Sequence, residues 1–99
     1  MSVTSQINGS TLTISVEGRF DFSVHQEFRV AYESQNPKPG SYVVDLSGTS
    51  YLDSSALGML LLLRDFAEGN GGDISISNCN DDVKKILSIS NFEQLFKIS

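Results

Sequence analysis

The sequence predicts one α/β domain, built on a mixed β-sheet that opens with a β-hairpin and carries about four helices. Three observations support this fold class. Apolar and hydroxylated residues alternate near the amino terminus, next to the dipeptide Asn8-Gly9. Farther along, apolar segments of strand length alternate with segments of helical periodicity. No repeat, low-complexity tract or linker interrupts the chain, so we expect a single domain over residues 1–99.

The first two strands are expected to form the hairpin. Thr11 to Val16 alternates apolar and polar residues, which is typical of a half-buried strand. Asn8-Gly9 is a strong signal for a two-residue turn, so Val3 to Ile7 should pair antiparallel with that strand. A helix should follow, with Ser23 as its N-cap and its end near Ser34. The apolar stripe of this helix would consist of Val24, Phe28, Ala31 and Tyr32.

A loop with two prolines, from Gln35 to Gly40, separates this helix from the next strand. Tyr42 to Leu46 is predicted to be an apolar strand with both faces covered. The longest helix should run from about Ser54 to near Gly69, and Gly71-Gly72 should form the turn after it.

The last third of the chain repeats this alternation. Ile74 and Ile76 alternate with serines and indicate another strand. Asn80-Asp81-Asp82 is expected to cap a further helix, and Phe92 to Ile98 should form a short helical turn followed by an edge strand. The core stripe of the capped helix would consist of Val83, Ile86 and Leu87.

The composition excludes several classes of protein. The net charge is -5 and only seven residues are Lys or Arg, which argues against binding to nucleic acid or to a membrane surface. The longest apolar run, Met59 to Leu63, is too short to span a bilayer, and the amino terminus does not resemble a signal peptide. Cys79 is the single cysteine, so no intramolecular disulfide can form. We therefore expect a soluble cytoplasmic protein that does not insert into membranes.

Two serines stand where the longest helix begins. The apolar pair Tyr51-Leu52 ends at Asp53-Ser54-Ser55, and a strongly apolar helical segment follows. The first N–H groups of a helix lack intrahelical acceptors and the helix dipole is positive there, so a phosphate is well tolerated. This pattern favours a phosphorylatable switch rather than an enzyme. The alternative is that both serines only cap the helix.

The helix after the serines also indicates a docking surface. Leu57 and Leu61 fall among its polar residues, one turn apart. They would either dock a partner or be covered by a neighbouring helix or loop. Seven residues share the broad arc predicted to face the core: Ala56, Met59, Leu60, Leu62, Leu63, Phe66 and Ala67.

A metal-dependent receiver is a rival interpretation, because Asp21, Asp45 and Asp53 all stand at predicted strand ends. We reject it, since a receiver needs paired acids after its first strand and a lysine after a late strand, and no lysine occurs between Lys38 and Lys84. The single histidine has no nucleophile at a recognisable spacing, and no Walker-type loop is present. The sequence thus predicts no catalytic residue, no metal site and no cofactor.

The stretch DLSGTSYLDSSALGMLLLLR, from Asp45 to Arg64, resembles the signature of STAS domains, specifically of the anti-sigma-factor antagonists. The order of elements over essentially the whole chain is also similar to that of the family. Ala56 is a departure, because many members carry glycine there. Alanine favours a helix, so the motif should persist.

The resemblance implies a phosphorylation-controlled antagonist. In the family, the second serine of the pair is phosphorylated by a partner serine kinase that is itself the anti-sigma factor. Carried over, this residue is Ser55, with Ser54 as the alternative. The implied partners are a serine kinase of the HATPase type, bound by the unphosphorylated form, and a phosphatase of the PP2C type. A constitutive binding subunit of a transporter complex is the alternative within the same family.

The resemblance also implies a partner-binding surface around the serines. Asp21 lies at the family-like spacing Gly18-x-x-Asp21 and is expected either on this surface or as a helix cap. Asp45 is expected to organise the turn that follows its strand. The complete predicted partner-binding set is Asp21, Asp53, Ser54, Leu57, Gly58 and Leu61.

Overall fold

The computed structural model describes residues 2–99, so Met1, which belongs to the predicted domain, lies outside the described residues. One sheet and three α-helices make up most of the structure. In chain order the elements are β1 Ser2–Asn8, β2 Thr11–Phe20, a 3-10 turn at Phe22–Val24, α1 His25–Glu33, β3 Ser41–Asp45, β4 Thr49–Leu52, α2 Ser54–Gly69, β5 Asp73–Ser77, α3 Asp81–Ile89, a 3-10 turn at Phe92–Gln94, and β6 Lys97–Ile98.

The sheet has six strands in the order β1-β2-β3-β5-β6, and β4 pairs with β2 beyond the end of β3. β1 is antiparallel to β2, and every other strand pair is parallel. β2 is long enough to pair twice, with β3 through Thr11 to Ser15 and with β4 through Gly18 to Phe20. The prediction of a mixed sheet opened by a hairpin is confirmed. Of the roughly four predicted helices, three are α-helices and the last is a 3-10 turn.

The hairpin turn lies one residue later than the sequence indicates. Asn8 pairs with Thr11, so the two-residue loop is Gly9-Ser10 rather than Asn8-Gly9. Gly9 has a φ of +64°. Glycine adopts that left-handed conformation without steric cost, which places it inside the loop and leaves Asn8 in the strand.

The segment after β2 begins differently from the prediction. Asp21, and not Ser23, caps the first helical turn, because its Oδ1 accepts hydrogen bonds from the backbone N–H of Ser23 at 3.0 Å and from the Ser23 hydroxyl at 2.5 Å. The predicted apolar stripe is confirmed: Val24, Phe28 and Tyr32 are buried, and Ala31 is partly buried.

The expectation that both faces of β3 are covered is wrong. Tyr42 and Val44 are buried, whereas Ser41, Val43 and Asp45 on the other face are only partly so. The α-helices contribute their buried residues to the single apolar face, which continues across the register pairs of β2, β3 and β5. The opposite face consists largely of small hydroxylated residues, which water can solvate.

The remaining predicted elements are confirmed. α2 spans the predicted residues, and α3 is capped by Asn80, whose Oδ1 accepts a hydrogen bond from the N–H of Val83 at 2.9 Å. The chain ends with a 3-10 turn and a short strand at the second edge of the sheet, as expected.

α2 buries a narrower face than the sequence predicts. Leu62 was placed in the core arc but is 57% exposed. It lies on the rim of that arc, 100° away from Leu63 on an ideal helix, where the other described elements leave it open to solvent. The residues that α2 does bury are Ala56, Met59, Leu60, Leu63 and Ala67.

Leu60 and Leu62 provide a matched test of this boundary. We expect Leu60→Ala to lower the free energy of unfolding by about 2–5 kcal/mol, because it leaves a cavity in the core. Leu62→Ala should change it by less than about 0.5 kcal/mol, since that side chain faces solvent. Urea unfolding followed by circular dichroism measures both values, and equal losses would contradict the described face of α2.

Candidate functional site

The predicted site lies at the carboxyl ends of two neighbouring parallel strands. Phe20 at the end of β2 pairs with Leu52 at the end of β4, so Asp21 and Asp53 follow them at the same end of the sheet. The backbone N–H of Asp53 also approaches the carbonyl oxygen of Phe20, at 3.4 Å. The fold therefore brings two carboxylates that are 32 positions apart in sequence to the same end of the sheet.

Asp53 is the N-cap of α2. Its backbone is extended, with φ of -113° and ψ of -173°, and its Oδ1 accepts a hydrogen bond from the N–H of Ala56 at 3.0 Å. Ser54 and Ser55 consequently occupy the first two positions inside the helix. The interpretation that the serines cap the helix is wrong, because the carboxylate already performs that role.

The two serines lie on the outside of the first helical turn. Ser54 is exposed and Ser55 is partly exposed. Their backbone N–H groups belong to the first turn, where no preceding helical carbonyl can accept from them. The positive end of the dipole of α2, a helix of 16 residues, is at the same place. A negative group attached to either hydroxyl would be stabilised within the free domain.

An exposed face of α2 continues from Ser54. Gly58 lies one turn on, and Leu61 and Leu62 follow in the next turn, with 37% and 57% of their surfaces exposed. Leu57 does not belong to this face, since it is partly buried and packs against the core. Of the predicted leucine pair, Leu61 is the more exposed, and a role of either residue in partner binding remains a prediction. The residues Ser54, Gly58, Leu61 and Leu62 are called the α2 face below.

Gly58 is unusual because nothing in the described part of the domain requires a glycine there. A Cβ built on it has no atom within 4 Å outside the helix's own backbone. Its φ is not among the positive values, so alanine could adopt the same conformation. Glycine inside a helix costs about 1 kcal/mol relative to alanine. This glycine leaves a gap in the centre of the α2 face.

Asp21 and Arg19, at this end of the sheet, are held in place by neighbouring side chains. The hydroxyl and the backbone N–H of Ser23 donate to Asp21, and these hydrogen bonds, with a smaller effect of Arg19, lower the pKa of Asp21 below its ordinary value. Arg19 Nε is 3.5 Å from Asp21 Oδ2, and the same guanidinium lies over the ring of Tyr51 at 4.8 Å. The Asp21 side chain is therefore negative at neutral pH. Its role as a cap is confirmed, whereas a role in partner binding remains a prediction.

Asp45 lies at the start of the β3–β4 loop, and it organises that loop as expected. Its Oδ1 accepts a hydrogen bond from the N–H of Ser47 at 2.9 Å. The buried Thr49 hydroxyl donates to the carbonyl oxygen of Val16 at 2.6 Å, and Asn80 Nδ2 donates to the carbonyl oxygen of Thr49 at 2.9 Å. These bonds fix the start of β4 and thus the position of Asp53.

The sequence predicts no surface role for two exposed apolar residues, Phe22 and Leu62. Phe22, directly after Asp21, is 65% exposed and stacks on His25 with the ring centroids 4.8 Å apart. The available signal was its position, because an aromatic residue in the turn after a strand does not belong to any helical stripe. Leu62 carried no comparable signal, since its place on the helical wheel is compatible with the core.

Metal and membrane features are absent from the described part of the chain. Among residues 2–99, no group of three or more His, Cys, Asp or Glu side chains is placed to hold a metal ion. Over the same residues, no helix combines the length and the apolar character needed to cross a bilayer.

The family model described as "Mlab, STAS domain" matches residues 3–97, which is nearly the whole chain. The chain belongs to the STAS domain family. A STAS-domain-containing protein of Pseudomonas aeruginosa (strain UCBPP-PA14) is 63% identical over 92 residues, covering 93% of this chain and 91% of the relative.

Solved structures have the same fold as this STAS domain. A candidate anti-sigma factor antagonist from Thermotoga maritima superposes with a TM-score of 0.86 at 18% identity, covering 97% of this chain and 84% of that one. A sulfate transporter family protein from Wolinella succinogenes gives 0.84 at 14% identity, with coverage of 94% and 79%. The Bacillus antagonist SpoIIAA in its unphosphorylated form gives a TM-score of 0.77 at 15% identity, covering 99% of this chain and 87% of that one. Its phosphorylated form gives a TM-score of 0.70 at 16% identity, covering 99% of this chain and 91% of that one.

Asp45 should make the stability of this STAS domain depend on pH. Partial burial alone would raise the pKa of Asp45, but hydrogen bonds from Ser47 and Asn78 lower it below the ordinary 3.8. A lowered folded-state pKa contributes stability that is complete above the unfolded pKa and is lost as the pH falls through the folded one. Asp45→Asn should therefore destabilise the domain at pH 6, and this loss should shrink below about pH 4. Urea unfolding of both proteins at several pH values measures it, and a loss that is constant down to pH 2 would contradict it.

Proposed function

We propose that this STAS domain is an anti-sigma-factor antagonist whose partner binding is switched by phosphorylation of Ser55, with Ser54 as the alternative acceptor. It is a binding protein rather than an enzyme. The observation that carries the proposal is the start of α2, where Asp53 makes the cap and leaves two serines in the first helical turn, beside the exposed α2 face.

A phosphate at this position would change binding without unfolding the domain. A phosphoserine adds about -1.5 to -2 charges at neutral pH. In the free domain, the first N–H groups of α2 and its dipole offset that charge. A bound partner would bury the same phosphate next to the carboxylates of Asp21 and Asp53 and beside apolar Leu61. Desolvation and like-charge repulsion then oppose the complex far more than the free domain.

The α2 face fits a partner that packs closely. Leu61 and Leu62 supply apolar area, and the gap at Gly58 lets a partner backbone or large side chain approach the helix. The family resemblance supplies the identity of this partner, a serine kinase of the HATPase type that acts as the anti-sigma factor. The unphosphorylated domain binds it and releases its client, and a PP2C-type phosphatase restores this form.

A second candidate function is a constitutive binding subunit of a transporter complex. It is favoured by one observation, namely that the same fold occurs in a sulfate transporter family protein. In that case the α2 face would hold its partner permanently and the serines would stay unmodified. The serine pair at the helix start and the scarcity of basic residues favour the switch.

The switch is tested in the protein's own host. We expect peptide mass spectrometry to find one phosphate on Ser55 that disappears in Ser55→Ala, while a phosphate on Ser54 would move the site. Used as bait, Ser55→Ala should retain a HATPase-type kinase and Ser55→Asp should lose most of it, because only the latter carries the negative charge. Ser55→Asn is the matched control of equal size and should bind like Ser55→Ala.

Equal recovery of the kinase by the Ser55→Asp and Ser55→Asn variants would contradict the switch. No phosphate in growing, starved or stressed cells, together with recovery of a membrane transporter, would establish the second candidate instead.

Gly58 separates the needs of folding from those of binding. We expect Gly58→Ala to raise the free energy of unfolding by about 0.5–1 kcal/mol, since alanine is the better helix former and meets no neighbour. The same methyl group should weaken kinase binding, because it fills the gap in the α2 face. Urea unfolding and calorimetric titration with the recovered kinase measure the two effects. Gly69→Ala, also without neighbours at its Cβ but at the far end of α2, is the control that should leave binding unchanged.

A further inference from the structure

β1 is an open edge of the sheet. Within residues 2–99 it pairs with β2 on one side only and is seven residues long, and residues 4–8 are all exposed. The opposite edge is different, because β6 has two residues, includes Lys97, and is followed by Ser99, whose N–H donates to the carbonyl oxygen of Ile76. The β1 edge therefore offers an uninterrupted row of main-chain groups.

The described residues of β1 carry none of the usual protections against strand pairing. Proteins shield edge strands with charges, prolines, bulges or covering segments. Residues 1–16 contain no Asp, Glu, Lys, Arg or Pro, so all twelve acidic and seven basic residues lie in 17–99. The register between β1 and β2 runs from Ser2 to Asn8 without a shift. Two chains of charge -5 can therefore pair through β1 without placing charged side chains of the paired strands opposite one another.

The hairpin register identifies the main-chain groups that point away from β2. Asn8 and Thr11 flank a two-residue loop, so they form a hydrogen-bonded pair. Hydrogen-bonded and non-hydrogen-bonded pairs alternate along an antiparallel ladder. The N–H and C=O groups of Val3, Ser5 and Ile7 consequently face outward. Their side chains point to the same face as Val16, Ile14 and Leu12, which is the face covered by the helices.

We infer that β1 pairs antiparallel with β1 of a second copy of this chain, around a twofold axis that passes between the two Ser5 residues. In this register Val3 of each copy faces Ile7 of the other, and Ser5 faces Ser5. All the outward groups of these residues are then used, in about six main-chain hydrogen bonds. Registers shifted by two residues leave some of these groups without a partner. The interface is isologous, so it closes as a dimer rather than growing into a fibre.

The side chains support the same pairing. Ile7 is 47% exposed in the single chain, and Val3 of the second copy would cover it. A groove of about 520 Å³ runs between β1 and α1, next to Val3, Ala31 and the exposed Val30. The twofold axis is perpendicular to the sheet, so both α1 helices lie on the same face and the two grooves meet. Among the described residues, Glu27 is the only charged one that lines this groove.

The dimer does not depend on the proposed switch. Pairing uses the β1 edge, whereas the switch uses the α2 face, which begins at the carboxyl end of β4 on the other side of β2. Each dimer would present two α2 faces. Failure of the dimer would therefore leave the proposed function intact, and failure of the switch would leave the dimer intact.

Sedimentation equilibrium up to about 1 mM tests the pairing. We expect a monomer–dimer equilibrium for the unmodified chain. Ser5→Lys and Ser5→Asp should each weaken it about fivefold or more, because each places two like charges directly opposite one another. An equimolar mixture of the two variants should restore the dimer, since Lys then faces Asp across the axis. Ser10→Lys adds the same charge in the exposed hairpin loop and should have little effect.

Disulfide trapping tests the register itself in a Cys79→Ser background. Ser5→Cys should cross-link to itself under mild oxidation, because the Cα atoms of a hydrogen-bonded pair lie about 5.5 Å apart, within disulfide range. Val3→Cys should not cross-link to itself and should do so with Ile7→Cys. A chain that stays monomeric up to about 1 mM would overturn the proposal and leave the edge to a strand of another protein. A dimer that resists both charged variants, or that lacks the Ser5→Cys cross-link, would also overturn it, since it forms through another surface.

Discussion

The pairing of β4 with the last residues of β2 is the constraint on which the candidate site depends. It places Asp21 and Asp53 at the same end of the sheet and sets the point where α2 begins. The buried Thr49 stabilises this pairing through two hydrogen bonds. Its hydroxyl donates to the carbonyl oxygen of Val16 in β2, and its carbonyl oxygen accepts from the side-chain amide of Asn80 at the start of α3. Because strand, loop and cap are all held, the serines lie on a rigid helix start and not in a mobile loop. A switch that acts through charge needs this rigidity, since a flexible segment could move a phosphate away from the partner.

α2 has one face that packs in the core and one that is open to a partner. Its buried face packs on the sheet, while its exposed face carries Leu61, Leu62 and a glycine whose Cβ position has no neighbour. Exposed leucines and an internal glycine both lower the stability or solubility of a free domain. Such features are expected where a surface is shaped for binding, and here they lie next to the two serines at the start of α2.

Charge is distributed unevenly over the molecule, so the β1 edge and the α2 face differ in their electrostatic surroundings. The first sixteen residues carry no charged side chain, whereas the remainder carries an excess of acids. The β1 edge can therefore approach another neutral strand through main-chain groups alone. The start of α2 lies beside the carboxylates of Asp21 and Asp53, so the proposed phosphate there would add to charge that is already negative. The β1 edge thus suits the proposed concentration-dependent pairing, and the start of α2 suits the proposed regulation.

The sequence alone determined the element order, the hairpin, the start of α2 at Ser54 and the family, because these depend on local patterns and a specific motif. Tertiary structure decided which cap is used, which leucines are exposed and which strand faces are open. Asp21 displaced Ser23 as a cap because β2 continues to Phe20. Leu57 is partly buried while Leu62 is exposed because of where the core packs against α2. A helical wheel gives the direction of a side chain but not the presence of a neighbour. The meeting of Asp21 and Asp53 likewise required the β2–β4 register, which joins residues that no local pattern connects.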